Sequence, residues 1–479
     1  MKRIFLLAVV CCLVIKGMSQ SGYSIPVTLK PYKNVYIYLG YHYGSKKAIA
    51  DSALLDANSK AIFKGSTPLP GGIYFVISPR KEILFEVLID KEQNFSVIAD
   101  TATLNKGVVF ANTAENALFQ QYTVFAAQTG QAIGKAKAEL AIARSNQDSV
   151  KTSAKLKSLG ESMQRYQDSI NKKHPSSMLS AMFRALKEPI VPAPSTHPGG
   201  KYDSNFAYRY YKSHFWDGVD FGDERLARTP FFEPKLERYF RELVPPNPDS
   251  VIREVDHMIL YSRGSKEMYK YLMVHFVQKY VNPEYMGQDA VFVHLFEKYI
   301  NTNQTDFFTA QYKDFMTKRA YSLMANLIGR PAANLEMVDS NNKATDLYDV
   351  KADLLVVCFW DPTCGHCKEV VPRVDSMYRA KWKAQGVKIY GVMTEGGKEN
   401  WTTFINEHKL TDWIHVYQLP SKELEISNAG RASFKQLYDV YQTPLLYLLD
   451  KDKRIVAKKL SIEQLDEVIT LKLKKSTSN

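Results

Sequence analysis

The segment that most restricts the fold of this chain is VVCFWDPTCGHCKEVVP, residues 356–372. It begins inside an apolar run, LLVVCFW, which is typical of a strand buried on both faces. The residues DPT break this strand, and a helix is predicted to begin at Cys364. A buried strand followed directly by a helix indicates an α/β sheet, with a Cys-Gly-His-Cys motif at the start of the helix.

The position of the two cysteines predicts a redox pair. A helix N-terminus carries unpaired N–H groups and about half a positive charge, which should lower the pKa of Cys364. Cys367 follows one turn later on the same face, where its sulfur can reach Cys364. We therefore predict that Cys364 is the nucleophile, that Cys367 resolves the mixed disulfide, and that His366 tunes the reduced thiolate. The Cys364–Cys367 disulfide is the only redox group expected, with no other cofactor and no metal.

The remaining cysteines do not indicate a protein that is stabilised by structural disulfides. The N-terminal MKR, IFLLAVVCCLVI and KGMSQS have the pattern of a secretory signal, and the apolar run is shorter than the ~20 residues of a membrane span. We predict a signal peptide over residues 1–19 and an exported, periplasmic protein without a transmembrane span. Removal of the signal peptide would take away Cys11 and Cys12, two of the five cysteines. Cys358 is predicted to be a buried apolar thiol.

The rest of the chain predicts three domains. Short segments rich in Val, Ile, Tyr and Phe indicate a small antiparallel β domain over 20–112. Residues 113–328 are predicted to be helical, beginning with a long hairpin and interrupted by a Pro-rich stretch near 188–200. Alternating apolar strands, from NLEMVD onward, and amphipathic helices predict an α/β domain over 329–479. The fold class is multi-domain, with an antiparallel β domain, a central all-α region and a C-terminal α/β domain.

Charge adds little about partners. The formal net charge of +13 is scattered rather than gathered in a block, so no nucleic-acid partner is predicted. Asp217, Asp220 and Asp223 have the spacing i, i+3, i+6, which differs from that of an EF-hand. We expect these carboxylates to cap helices and form surface salt bridges.

From about residue 329 onward, the chain resembles the thioredoxin superfamily, and most closely the TlpA/ResA-like extracytoplasmic thiol–disulfide oxidoreductases. FWDPTCGHCKEVVP matches the strand–FW–turn–CxxCK–helix–Pro pattern, and YDVYQTPLLYLLDKDKRIV matches the segment with a cis-proline facing the active site. The resemblance implies a thioredoxin fold, a cis bond between Thr443 and Pro444, and substrate binding by both. It also implies that Trp360, a further substrate-binding candidate, and Phe359 pack beneath the cysteines. The upstream β and helical segments resemble extensions attached to such domains in Bacteroidetes proteins.

The chain departs from these relatives at several positions. Thr363 replaces the Trp that usually precedes the first cysteine, and Cys358 aligns with the buried acid of thioredoxin. Val370 occupies the place where ResA-like proteins often have Glu. The proton acceptor for Cys367 is therefore left open between Glu369 and water.

Other readings of the cysteines fail on spacing. A c-type haem site needs His after the second cysteine, where this chain has Lys368. A structural zinc site needs further ligands, and there is no second CxxC. A peroxiredoxin would have Thr at the place of Asp361.

We predict an exported thiol–disulfide oxidoreductase that acts on periplasmic proteins through the CGHC pair, as a reductase. Its partners would be protein thiols or disulfides and an upstream thiol donor or acceptor. Two alternatives remain. In the first, the Gly-His dipeptide between the cysteines, which protein disulfide isomerase shares, favours oxidation or isomerisation. In the second, the large non-redox portion would suit a binding protein with an accessory redox domain.

Overall fold

The structure is a computed structural model that describes residues 22–104, 107–143 and 145–476. The predicted signal peptide, with Cys11 and Cys12, lies outside these residues. The described chain divides into two compact units. One runs up to Val244 and includes Met258–Leu272, and the other comprises Pro245–His257 and continues from Met273. The second unit therefore contains part of the helical segment together with the C-terminal α/β domain.

The first unit begins with two sheets. They are built from β1 (Tyr23–Lys30), β2 (Tyr36–Tyr43), β3 (Lys46–Leu54), β4 (Lys60–Gly65), β5 (Gly72–Ile77), β6 (Ile83–Ile89), β7 (Ser96–Asp100) and β8 (Val109–Ala111). The strand orders are β3-β2-β5-β6 and β4-β1-β7-β8. The predicted antiparallel β domain is confirmed, although β1 and β7 pair in parallel. Apolar side chains from both sheets form one buried cluster.

A long helical hairpin follows, as predicted. It consists of α1 (Ala114–Ala141) and α2 (Asn146–Lys173). The side chain of Asn116 ties α1 to β6, because its Oδ1 accepts from the N–H of Leu88 at 2.8 Å and its Nδ2 donates to the carbonyl of Leu88 at 2.8 Å. Helices α3 (Met178–Leu186), α4 (Ser204–His214) and α5 (Phe232–Glu242) come next.

In the acidic stretch after α4, Asp223 behaves as expected. It caps a short helical turn at Glu224–Arg228 and forms an ion pair with Arg225.

The boundary between the units falls within two helices, α6 (Pro248–Tyr261) and α7 (Lys266–Tyr280). In the second unit they are followed by α8 (Asp289–Leu295), a π-helical turn at Phe296–Ile300, and α9 (Ala310–Met324).

The C-terminal α/β domain is also confirmed. Its strands are β9 (Leu354–Trp360), β10 (Val387–Met393), β11 (Ile414–Tyr417), β12 (Leu445–Asp450) and β13 (Ile455–Lys458). The sheet order is β11-β10-β9-β12-β13, with β10 parallel and β12 antiparallel to the central β9. Its helices are α10 (Gly365–Met377), α11 (Lys398–Glu407), α12 (Pro420–Asn428), α13 (Phe434–Leu437) and α14 (Ile462–Ser476).

The prediction of a strand at NLEMVD was wrong. Val338 alone forms isolated bridges, including one to Tyr417 in the edge strand β11. The chain then turns away, because the carboxylate of Asp339 accepts hydrogen bonds from the N–H groups of Asn341 and Lys343 at 2.8 and 2.9 Å. Such a local turn competes with further strand pairing.

Candidate active site

A tight turn connects β9 to α10 and places the first cysteine. Oδ1 of Asp361 accepts hydrogen bonds from the N–H and the Oγ1 of Thr363, both at 2.7 Å. The N–H of Cys364 donates to the carbonyl oxygen of Asp361 at 3.2 Å. Cys364 is then the N-cap of α10, with extended backbone angles. The predicted helix start at Cys364 is confirmed.

The thiol of Cys364 is only partly buried and meets the free N–H groups of the helix start. The backbone N–H of Cys367 is the main group that lowers the pKa of Cys364, with help from the N–H of His366, and the little burial present opposes it. The unpaired donors of a first helical turn favour a thiolate in this way. The lowered pKa of Cys364 agrees with the expectation from sequence.

The second thiol is in a different environment. Cys367 is fully buried, and burial raises its pKa to about 11, with the neighbouring Cys364 adding to this effect. The backbone N–H of Asp361 donates to its Sγ at 3.5 Å and partly offsets the rise. The two thiols therefore have pKa values shifted in opposite directions.

The segment after α13 returns to the cysteines. The Thr443–Pro444 bond is cis, as the resemblance implied. The Sγ of Cys364 donates to the carbonyl oxygen of Thr443, with an S···O distance of 3.7 Å. The structure thus brings Cys364, Cys367, Thr443 and Pro444 together at one end of the sheet.

His366 is exposed, and the part of it that reaches the Sγ of Cys364 is its backbone N–H. Glu369, one candidate proton acceptor, is also exposed, on the surface of α10.

The placing of Trp360 among substrate-binding residues needs correction, because its side chain is fully buried. It packs in the same apolar cluster as Cys367, on the α10 side of the sheet. Phe359 does not pack beneath the cysteines either, because it belongs to the cluster on the opposite face, with its ring 5.0 Å from that of Tyr438. Adjacent residues of a strand point to opposite faces, so the two cannot share one floor.

Cys358 lies in β9 within the same cluster as Cys367 and is fully buried. Burial raises its pKa well above the usual range, so it remains a neutral thiol. Across residues 22–104, 107–143 and 145–476, no group of three or more His, Cys, Asp or Glu side chains is arranged to hold a metal ion.

Sequence reasoning missed two contributors to this site. Asp361 supplies the N–H that reaches Cys367, and the DPT turn could have drawn attention to it. Arg319, from α9, forms an ion pair with Asp439, which precedes Pro444 by five residues. No local signal links Arg319 to Asp439, because 120 positions separate them.

Two parts of the chain match known families. Residues 328–464 match the AhpC/TSA family, and residues 151–320 match a domain of unknown function, DUF5106.

Among characterised relatives, the thiol-disulfide oxidoreductase ResA of Bacillus thuringiensis (strain Al Hakam) is 27% identical over 150 residues, covering 31% of this chain and 79% of the relative. The protein of the same name from Bacillus subtilis (strain 168) is 24% identical over 128 residues, covering 27% and 64%.

Similar solved structures come from Cytophaga and Bacteroides species. A domain of a possible thiol-disulfide isomerase from Cytophaga hutchinsonii is 34% identical and covers 32% of this chain and 97% of that domain, with a TM-score of 0.28. A thioredoxin-like protein from Bacteroides caccae is 20% identical and covers 60% and 99%, with a TM-score of 0.46.

The α/β domain with its helix-capping cysteine and cis-proline segment is therefore a thioredoxin-like domain of the thiol–disulfide oxidoreductase class. Residues 328–464 thus form a TlpA/ResA-like domain of the thioredoxin superfamily. No helix in the described part of the chain has both the length and the apolar character that crossing a membrane requires.

Proposed function

We propose that the protein is an exported reductase of protein disulfides, which acts through Cys364 and Cys367. The observation that carries this proposal is the opposite shift of the two thiol pKa values. The pKa of the partly exposed Cys364 is lowered, and that of the buried Cys367 is raised to about 11. An attacking thiol must be ionised and accessible, whereas a resolving thiol is best kept protonated until the mixed disulfide has formed.

The reaction would proceed in two exchanges. The Cys364 thiolate attacks one sulfur of the substrate disulfide, and the other sulfur leaves as a thiolate. Cys367 then gives up its proton, and its thiolate attacks the Sγ of Cys364 and releases the second substrate sulfur. Two electrons pass to the substrate, whose two thiolates take up protons, and the Cys364–Cys367 disulfide is left. An upstream thiol donor must then reduce that disulfide.

The substrate-binding segment would be Thr443–Pro444, next to the attacking sulfur. The described backbone hydrogen bonds include none donated by the N–H of Thr443, so this group can pair with an extended substrate peptide. We propose that His366, exposed beside the thiols, tunes their potential through its imidazole, and that no cofactor other than the cysteine pair is needed. We propose a periplasmic location from the predicted signal over residues 1–19.

Two variants, each with one cysteine replaced by serine, test this mechanism. With Cys367→Ser, the full chain should accumulate a mixed disulfide between Cys364 and a disulfide substrate, visible as a mass increase that dithiothreitol reverses. With Cys364→Ser, no such adduct should form, because the remaining described thiols, Cys358 and Cys367, are buried and protonated. Equal adduct formation by both variants would contradict the assigned roles.

Isomerisation is the specific alternative to reduction, because the CGHC motif favours it. Protein disulfide isomerase has a potential of about −180 mV and thioredoxin one of about −270 mV. Equilibration of the full chain with glutathione buffers would measure the potential of the Cys364–Cys367 couple. A value close to that of thioredoxin supports the reductase, and a value close to that of the isomerase assigns the protein to oxidation or isomerisation.

A binding protein with an accessory redox domain is the other candidate, and the large first unit motivates it. The chain with both Cys364→Ser and Cys367→Ser tests this idea. The variant and the wild type are each expressed in a strain that lacks the protein. If both restore the lost function equally well, the redox pair is accessory.

A further inference from the structure

A cleft of about 520 Å³ opens beside the proposed substrate-binding segment. Pro444, Tyr441, Lys459 and Leu460 line one part of it, and Phe315 and Arg319 of α9 line another. The first four lie in the segment that matches the AhpC/TSA family, and the last two lie in the segment that matches DUF5106. Two parts of the chain with separate family matches therefore build one cleft.

The cleft begins directly beside the reactive sulfur. The Sγ of Cys364 lies 3.7 Å from the carbonyl oxygen of Thr443, and the carbon of that carbonyl is bonded to the nitrogen of Pro444. Pro444 lines the cleft. Since a chain in extended conformation advances about 3.3 Å per residue, a substrate cysteine at Cys364 would place its nearest neighbours at this cleft.

The lining of the cleft suits an apolar side chain. Tyr441 is 76% exposed and Phe315 is 47% exposed, and Pro444 and Leu460 add apolar surface between polar groups. The guanidinium of Arg319 lies 5.8 Å from the centre of the Tyr441 ring, which favours a fixed position for that ring. Exposed aromatic rings with restricted freedom are efficient contact surfaces for a partner.

The charged side chains that line the cleft also carry a net positive charge. The carboxylate of Asp439 has no exposed surface and pairs with both Arg319 and Lys459, whereas the Lys459 side chain is 42% exposed. Two cations face one anion, which leaves one positive charge in excess. This excess disfavours a basic residue of the substrate at the same place.

We propose that this cleft binds the residues next to the reacting cysteine of a protein substrate, with an apolar or aromatic side chain against Phe315 and Tyr441. The proposal rests on the disulfide reductase function given above. It assigns to α9, and so to part of the DUF5106-matching segment, a role in choosing substrates. Selection then depends on side chains from outside the α/β domain.

The test uses the full chain and short disulfide-linked peptides that differ only in the residue beside cysteine, as Phe, Ala or Lys. The wild type should reduce the Phe peptide with the highest kcat/KM and the Lys peptide with the lowest. In Phe315→Ala and in Tyr441→Ala, the ratio of kcat/KM for the Phe peptide to that for 2-hydroxyethyl disulfide should fall about tenfold. Tyr321→Ala is the matched control, since Tyr321 lies on the same helix and is 63% exposed but does not line the cleft. An unchanged ratio in both cleft variants would overturn the proposal.

A binding measurement separates this proposal from the reductase function. The same peptides with Ser in place of Cys cannot react, and fluorescence anisotropy gives their affinity for the full chain. The Phe peptide should bind the wild type and the Tyr321→Ala control equally, and should bind Phe315→Ala about tenfold more weakly. If all three proteins bind it alike, or none binds it, the cleft is not the peptide site. If binding follows the expectation but no disulfide is reduced, the reductase function fails and the cleft stands.

Discussion

The guanidinium of Arg319 pairs with the buried carboxylate of Asp439, which also accepts a hydrogen bond from Lys459. Two further bonds reach α13, which directly precedes Asp439: from the Ser322 hydroxyl of α9 to the carbonyl of Gln436 at 2.5 Å, and from the amide of Asn326, just after α9, to the carbonyl of Leu437 at 3.0 Å. The loop between α13 and Pro444 is therefore held by a helix that precedes the α/β domain in sequence.

Replacing Asp439 by Asn should destabilise the second unit at neutral pH. Asparagine tolerates the left-handed backbone of this position, where φ is 54°, but it leaves Arg319 and Lys459 without their anion. Loss of one member of a buried ion pair costs about 3 kcal/mol. Urea unfolding followed by tryptophan fluorescence suits the measurement, because four of the five tryptophans lie in the second unit. Asp314→Asn, at an exposed pair on the same helix, is the control and should change stability little.

The same variant has a predictable pH dependence. Burial by itself would raise the pKa of Asp439, but the bonds from Arg319 and Lys459 outweigh it, so the pKa lies below its usual value. The ionised carboxylate then stabilises the folded state above about pH 3.9, and this contribution is lost as the pH falls through the folded-state pKa. The stability difference between wild type and Asp439→Asn should narrow below about pH 4. A constant difference down to pH 2 would contradict the lowered pKa.

The three described cysteines should differ in their reaction with iodoacetamide. In the reduced protein, Cys364 should be alkylated with a pH midpoint below that of an ordinary cysteine, about 8.5. Cys367 should react only near its pKa of about 11, and Cys358 only after unfolding. Mass spectrometry of the digested protein over a pH series measures all three. Equal labelling of Cys364 and Cys367 at pH 7 would remove the basis for their separate roles.

The buried pair of Lys458 and Asp289 should be important for the stability of the second unit. Their side chains are 3% and 6% exposed, and the ammonium also donates to the carbonyl of Asn326 at 2.7 Å. Asp289→Ala should lower the free energy of unfolding by about 3–5 kcal/mol, because the ammonium is left buried without its anion. The double variant Asp289→Ala with Lys458→Met should recover much of that loss. If it is as unstable as the single variant, shape rather than charge explains the effect.

Cys358→Ala tests whether the buried thiol in β9 takes part in proton transfer. Burial keeps Cys358 protonated, so it is a poor acceptor for the proton of Cys367. We expect disulfide turnover within about twofold of the wild type and a stability loss on the order of 1 kcal/mol. A tenfold fall in turnover, with the fold intact by circular dichroism, would show that Cys358 acts in the reaction.

Local sequence determined much of this protein. The buried strand β9, the DPT turn and the helix that begins at Cys364 follow from apolar runs, a proline and the chemistry of helix ends, all within about 25 residues. The long hairpin of α1 and α2 followed from unbroken helix formers in the same way.

The errors have equally local causes. The prediction that Phe359 and Trp360 both pack beneath the cysteines conflicts with the alternation of a strand, because adjacent residues of β9 point to opposite faces. Val338 lies in a short apolar stretch that resembles a strand, yet the turn at Asp339 ends its pairing after one residue.

Only the tertiary structure decided what surrounds the cysteines. Phe315 and Arg319 reach Tyr441 and Asp439 across more than 100 positions of sequence, and the fold of the second unit alone brings them to one cleft. Local propensity and periodicity act over one or two turns of chain, whereas a cleft depends on the packing of elements that are distant in sequence. The sequence by itself thus determined that the two cysteines lie at the start of α10, and the packing of α9 near the loop before Pro444 determined which side chains line the cleft beside them.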